Sequence, residues 1–300
     1  MTLQLSRKQE EINTLLEGLN PKQRESVTRM DGKYLVLASA GSGKTRVLAT
    51  RVAYLLQMGV KPWEIVAISF TKKASNELSE RIASLVGHIA LDVNSGTFHS
   101  LCMRILLQNQ GALNMQNLTV LDEHESRKII DDISAGYGFL KDTTDEIHHT
   151  IERWGNKGYF PEDAANESDI PQDYVHIFAD YTSFKRNVGY IDFNDILTLT
   201  SYLFSTRPDI LEKYSRKYKY IMVDESQDLN DIQYKIAQQL SSYHHNYMYI
   251  GDDFQSIYGF RGSNVENIMN IRNVDSDVET ILLEQNYRST QTIVDAVRTM

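Results

Sequence analysis

Tyr34-Leu35-Val36-Leu37-Ala38-Ser39-Ala40-Gly41-Ser42-Gly43-Lys44-Thr45 is the stretch that decides the fold. A short apolar run ends abruptly in small residues. Beyond it, Val47, Leu48, Val52, Leu55 and Leu56 recur at helical spacing. Strand, glycine-rich loop, Gly-Lys-Thr and helix together form the context of a P-loop. Backbone N–H groups of Gly41 to Thr45 would cradle a phosphate chain at a helix N-terminus. Lys44 would neutralise β and γ oxygens, and the Thr45 hydroxyl would hold Mg²⁺. The strict pattern asks for glycine where Ala38 stands. A glycine-rich turn that merely starts a helix is the bland alternative, and the setting of Gly-Lys-Thr argues against it.

Four more runs share this form. Ile65–Phe70 meets Thr71-Lys72-Lys73, Tyr220–Val223 meets Asp224-Glu225, Tyr247–Ile250 meets Gly251-Asp252-Asp253, and Thr280–Leu283 meets Glu284-Gln285-Asn286. Such runs suit strands of a parallel sheet covered on both faces. Helical periodicities between them predict a doubly wound α/β core: a P-loop NTPase type of parallel sheet flanked by helices. Ligands in such sheets bind beyond the carboxyl ends of the strands, where these polar clusters lie. Asp224 then suits a Mg²⁺-linked carboxylate and Glu225 a group that activates water. Alone, the pair reads as two solvated carboxylates at a strand end.

Charge divides the chain. The net charge is −9, which does not advertise a nucleic-acid partner. Residues 1–100 carry 13 Lys/Arg against 9 Asp/Glu, residues 101–200 carry 8 against 17, and residues 201–300 carry 10 against 14. The acidic middle also loses the strand alternation, apart from Leu118–Leu121. We expect a helical subdomain at 108–188 inserted between core segments 1–107 and 189–283. No apolar run approaches the ~18 residues of a membrane span, and the N-terminus has no apolar signal core. Cys102 is the single cysteine, so no internal disulfide forms, and a cytoplasmic location fits.

Asn20-Pro21-Lys22-Gln23 carries two readings. Asn20 suits an N-cap, Pro21 the first helical position, and Gln23 a return bond to the cap. The Gln23 amide could instead read an adenine edge, since it donates and accepts at once.

In order along the chain stand Leu19-Asn20-Pro21-Lys22-Gln23-Arg24, Ala40-Gly41-Ser42-Gly43-Lys44-Thr45-Arg46, Phe70-Thr71-Lys72-Lys73-Ala74, Gly96-Thr97-Phe98-His99-Ser100-Leu101-Cys102, Ile191-Asp192-Phe193-Asn194-Asp195, Val223-Asp224-Glu225-Ser226-Gln227-Asp228, Gly251–Gly262 and Glu284-Gln285-Asn286-Tyr287-Arg288-Ser289. With these eight segments the chain resembles the N-terminal part of a UvrD/Rep-type superfamily 1 DNA helicase, over about residues 16–298. The resemblance implies ATP and Mg²⁺ as cofactors, and single-stranded DNA and single-strand/duplex junctions as partners. It implies a 3′→5′ motor that couples ATP hydrolysis to unwinding. Ala40 to Thr45 would hold the phosphates, Gln23 and Arg46 would contact adenine, and Tyr287 would stack on it. Thr45 and Asp224 would hold the metal, and Glu225 would activate water. Gln255 would sense the γ-phosphate, and Arg288 would touch it as an arginine finger. Phe70, Lys72, His99, Phe193, Tyr258, Phe260 and Arg261 would line the single-strand track. Aromatic faces there stack on bases without reading sequence; each taken singly has core packing as its alternative.

Three departures stand out. Lys72 replaces the usual Asn, Phe260 replaces the usual Trp, and the insert is acidic although in the family this subdomain approaches duplex DNA. The resemblance also implies that residues 284–300 begin a second motor domain, and that residues 1–300 alone hydrolyse ATP poorly and do not unwind. Competing expectations are a non-motor ATP-binding docking or regulatory module, the helicase part of a helicase–nuclease, and a small-molecule P-loop kinase. The last leaves Gly96–Cys102 and Gly251–Gly262 without a role.

Overall fold

The computed structural model describes residues 2–39, 41–115, 118–252, 271 and 276–287. Its strands are β1 (Lys33–Ala38), β2 (Ile65–Ile68), β3 (Asn94–Gly96), β4 (Thr119–Val120), β5 (Tyr190–Ile191), β6 (Tyr220–Val223), β7 (Tyr247–Gly251) and β8 (Glu279–Leu283). Its helices are α1 (Thr2–Leu16), α2 (Pro21–Thr28), α3 (Lys44–Gln57), α4 (Lys72–Val86), α5 (Phe98–Gln108), α6 (Glu123–Gly136), α7 (Asp145–Lys157), α8 (Pro161–Ala164), α9 (Gln172–Val188), α10 (Phe193–Thr206), α11 (Pro208–Lys217) and α12 (Asp231–Ser241). No described helix is long and apolar enough to cross a membrane.

Two compact units emerge. The first comprises Met1–Phe98, Glu212–Leu229 and Leu240–Met300. It holds a six-stranded sheet in the order β3-β2-β6-β7-β1-β8, and every neighbouring pair is parallel. The five apolar runs are five of these strands. Helices cover the inner ones: Val47, Leu48, Val52 and Leu55 of α3 join Val36, Met222, Met248 and Ile250 of the sheet and Leu78 and Ile82 of α4 in one core, whereas the edge strand β8 leaves Glu279 and Leu282 exposed instead of being covered on both faces. The α/β class expected from strand–helix alternation is the observed one.

Helix α2 is fastened at both ends. Asn20 caps it and Gln23 completes the capping box. At the other end the buried Arg51 of α3 donates to the carbonyls of Ser26 at 2.9 Å and Met30 at 2.8 Å, and to that of Arg29. Ser26 O is among the carbonyls a helix terminus leaves unsatisfied, and those of Arg29 and Met30 follow directly after the helix. Burial lowers the Arg51 pKa to about 10, with Tyr34 the first of the groups that oppose it; the guanidinium stays charged at neutral pH.

The second unit comprises His99–Leu211 and Asn230–Gln239. Its core packs Ile147, Ile151 and Trp154 of α7 against Tyr174, Ile177, Phe178 and Tyr181 of α9, with Ile130 of α6. Among its described residues the short parallel pair β4–β5 provides the strands. This unit is wider than the 108–188 expected. Most of α5, all of α10 and most of α12 belong to it. A helix bordering an insert carries the same apolar stripe whichever body it packs against, so composition does not mark the seam.

One polar cluster crosses that core. Lys185 of α9, 3% exposed, places Nζ 2.5 Å from Asp192 Oδ2 and 2.6 Å from Asp195 Oδ2. Tyr181 donates its hydroxyl to Asp192 at 2.9 Å. Burial works against the ammonium, but Asp195 and Asp192 outweigh it and hold Lys185 above its usual value. Two carboxylates share one cation. Against burial, Lys185 and its hydrogen bonds hold Asp192 low, whereas burial leaves Asp195 raised. Asp192 and Asp195 also form the capping box that starts α10.

Candidate functional site

The parallel sheet of the first unit delivers its polar segments to one end. β1 runs into the loop that Ser42 tightens by donating its N–H to Ser39 O at 3.1 Å. Gly43, at φ +89°, caps α3 in a left-handed conformation. A Cβ there would lie 3.0 Å from Gln23 Nε2. Both backbone and space therefore call for glycine.

Lys44 opens α3. Its Nζ lies 3.6 Å from Glu225 Oε2 and 3.7 Å from Asp252 Oδ2. Glu225 follows β6 and Asp252 follows β7, and the order β6-β7-β1 makes these ends neighbours. The buried Asp224 accepts from Glu225 N at 3.0 Å and from the Thr45 side chain. Burial, and then the Glu225 charge, push its carboxyl up to about 6 against the pull of Lys44 and Thr45. Glu225 sits at φ +50°, in the left-handed region. That conformation costs a non-glycine residue about 1–3 kcal/mol and persists only where the surroundings enforce it.

Thr45, Asp224 and Glu225 offer oxygen donors only. That chemistry suits a hard divalent cation held by one or two carboxylates together with phosphate oxygens and water. Among the described residues no group of three or more ligating side chains closes around a metal by itself.

Asp224→Asn removes a charge that burial disfavours while keeping the shape. The nucleotide-free protein should gain about 1–3 kcal/mol at neutral pH, since each pKa unit is worth about 1.4 kcal/mol. The sign follows from the direction: a carboxyl raised in the fold binds its proton more tightly there, so its ionisation costs stability as pH rises. The gain should shrink to nothing below about pH 4, where both states are protonated. Thermal melts of both proteins across that range check it, and a lower melting temperature for the variant at pH 7 would contradict it.

Around the loop lie the residues proposed for the base. Gln23 is 1% exposed, and both ends of its amide are engaged: Oε1 accepts from Asn20 N at 3.1 Å and Nε2 donates to Ser42 O at 2.8 Å. The capping reading of Gln23 is thus the observed one, and contact with a base requires a change of rotamer. Arg46 is exposed and donates to Glu17 O at 3.2 Å. Tyr287, 54% exposed, donates its N–H to Gly41 O at 2.9 Å and accepts at its hydroxyl from Asn20 Nδ2 at 2.9 Å. Asn20 therefore holds both the helix cap and the tyrosine, a role its cap signal alone did not announce.

The proposed strand-track residues fall in both units. In the first, Phe70 lies just past β2, half-buried, and Lys72 is exposed in the first turn of α4, behind the Thr71 cap. In the second, His99 and Phe193 stack with centroids 3.6 Å apart and planes 17° off parallel. Burial lowers His99 to about 4, so the ring is neutral at physiological pH. Phe193 is 60% exposed and sits on the α10 start that Lys185 anchors. Ala40, Gln255, Tyr258, Phe260, Arg261 and Arg288 lie outside the described residues. The residues missed as site members are Gln227 and Asp252; both stand in the quoted motifs, but only the pairing of β6 with β7 shows what they touch.

The sequence profile described as the UvrD/REP helicase N-terminal domain matches residues 19–275. The ATP-dependent DNA helicase PcrA of Leuconostoc citreum is 39% identical over 294 residues, covering 95% of this chain and 39% of that protein. PcrA of Bacillus subtilis (strain 168) is 40% identical over 290 residues, with 95% and 39% covered. PcrA of Staphylococcus aureus (strain Mu50 / ATCC 700699) is 37% identical over 292 residues, with 95% and 40% covered. The chain thus spans about two fifths of the length of the curated relatives it matches. A parallel sheet with a P-loop lysine set among the carboxylates of its neighbouring strands, and this match across most of its length, place the chain in the UvrD/Rep helicase family, as its N-terminal domain.

Proposed function

We propose that the chain is the nucleotide-binding part of an ATP-dependent DNA helicase that moves 3′→5′ along single-stranded DNA. The observation that carries the reading is the convergence of Lys44, Thr45, Asp224, Glu225 and Asp252 at the carboxyl ends of β1, β6 and β7. The relatives' name as ATP-dependent DNA helicases supports it.

Backbone N–H groups from Gly41 to Thr45 receive the phosphates at the start of α3. Lys44, held between Glu225 and Asp252 without nucleotide, turns to the β and γ oxygens. Thr45 and Asp224 would hold Mg²⁺, which would screen phosphate charge when bound. Glu225 takes the proton of the attacking water as its oxygen bonds to the γ-phosphorus and the bond to the ADP oxygen breaks. Tyr287 stacks on the base, with Arg46 and a rotated Gln23 beside it. Gln255 and Arg288 contribute from the segments not described. Phe70, Lys72, His99 and Phe193 contact the strand, together with Tyr258, Phe260 and Arg261.

The test is ATP hydrolysis with and without single-stranded DNA. Hydrolysis should rise with DNA and fall about 10²–10³-fold in Lys44→Ala, the loss typical of removing one preorganised charge-stabilising donor. Nucleotide binding with no response to DNA would favour a non-motor module. Phe193→Ala should weaken single-strand binding by about 1–3 kcal/mol with ATP affinity unchanged. An equal fall in both would mark Phe193 as structural.

A further inference from the structure

Gln227 lies two residues beyond Glu225, in the turn Ser226–Asp228, and is 3% exposed. Its amide is used at both ends. Nε2 donates to Glu225 Oε2 at 2.8 Å, and Oε1 accepts from Asp252 N at 3.1 Å. The orientation is unambiguous, because a backbone N–H only donates and must face the amide oxygen. Lys44 approaches the same Glu225 oxygen, Oε2, at 3.6 Å. Among the described residues none donates to Oε1.

The turn is locked against the end of β7. A Cβ at position 251 would lie 2.7 Å from Ser226 Oγ and 2.9 Å from Gln227 Oε1, so the glycine there lets the strand pass close to the amide. Gln227 thus ties a left-handed glutamate on one strand end to the backbone of the next.

We propose that Gln227 is a positioning residue for Glu225, and this rests on the ATPase reading above. By holding Oε2 it leaves Oε1 free to receive the proton of the attacking water. It also competes with Lys44 for the carboxylate. Without that donor the glutamate closes onto the lysine as an ion pair, and the base is then misplaced.

Gln227→Glu is the test. It keeps the shape and the acceptor for Asp252 N, and replaces the donor that faces Glu225 with a second carboxylate. ATP turnover should fall about 10- to 100-fold, the scale expected from displacing a reacting group by about 1 Å. Affinity for a non-hydrolysable ATP analogue should stay within about threefold, as for loss of an interaction made only in the transition state. In a Glu225→Gln background, Gln227→Glu should add no further loss, since two residues acting through one carboxylate are not additive. Gln227→Met, which lacks the donor and adds no charge, should show the same split and decides the matter should the glutamate variant not fold.

Turnover unchanged in both variants, alongside a Glu225→Gln that is inactive, would overturn the proposal and leave the ATPase reading standing. Additive losses in the double variant, or an equal loss of analogue affinity, would reduce Gln227 to a structural role. Hydrolysis by the unaltered protein that Glu225→Gln does not reduce would overturn both.

Discussion

Replacing Glu225 by Gln is expected to slow ATP turnover by a factor of about 10²–10⁴, the usual contribution of a positioned general base. Nucleotide affinity should hardly change. The variant keeps the side-chain length, and Gln227 and Lys44 still meet a polar group at that position. What disappears is the capacity to take a proton. Single-turnover hydrolysis beside analogue binding separates the two effects. A variant that binds poorly and turns over normally once saturated would show that Glu225 serves binding instead.

Lys185→Ala should destabilise the helical unit by about 3–5 kcal/mol, the cost of removing one partner from a buried ion pair. Two carboxylates, Asp192 and Asp195, would then face each other without a cation. For a unit of this size the loss corresponds to a fall in its melting temperature of about 10–20 °C. Circular dichroism across the melt checks it, and a fall of under about 3 °C would show that the charges are solvated after all. Sign and pH window follow from the shifts. Lys185, raised in the fold, contributes stability that is full below its ordinary range and lost as pH climbs through the raised value. Asp192, held low, contributes above the ordinary carboxylate range and loses that contribution as pH falls through its depressed value. The variant should also loosen Phe193, since the capping box that starts α10 is built from the two residues Lys185 holds. Weaker single-strand binding is the accompanying expectation.

Much of the sheet was readable because five of its strands carry short apolar runs that end in polar residues. β3 was not, since Asn94-Ser95-Gly96 is a polar edge strand with no apolar run to announce it. Helix starts were readable where a cap and its return bond lie three residues apart, as in Asn20 and Gln23. The P-loop and the Asp224-Glu225 pair were readable for the same reason: spacing and context lie within a few residues. The pairing of Lys44 with Asp252 spans 208 positions, and no local pattern encodes it. The stacking of His99 on Phe193 likewise depends on two helix starts meeting. Bulk charge says little about the P-loop segment, because the excess acid lies in residues 101–200 of the sequence.

The position of β1 inside the sheet bears on how the protein is made. The strand that leads into the phosphate loop pairs with β7 on one side and β8 on the other, Lys33 opposite Tyr247 and Tyr34 opposite Glu279. A ribosome adding about 5–20 residues per second needs roughly 10–40 s to synthesise the chain between Lys33 and its first strand partner. Through that interval β1 is an apolar ribbon with both hydrogen-bonding edges open, the state in which strands find wrong partners. The proposed nucleotide site is therefore among the last parts of its unit to be completed on the nascent chain, and the helical unit, whose contacts are more local, has the opportunity to fold before it.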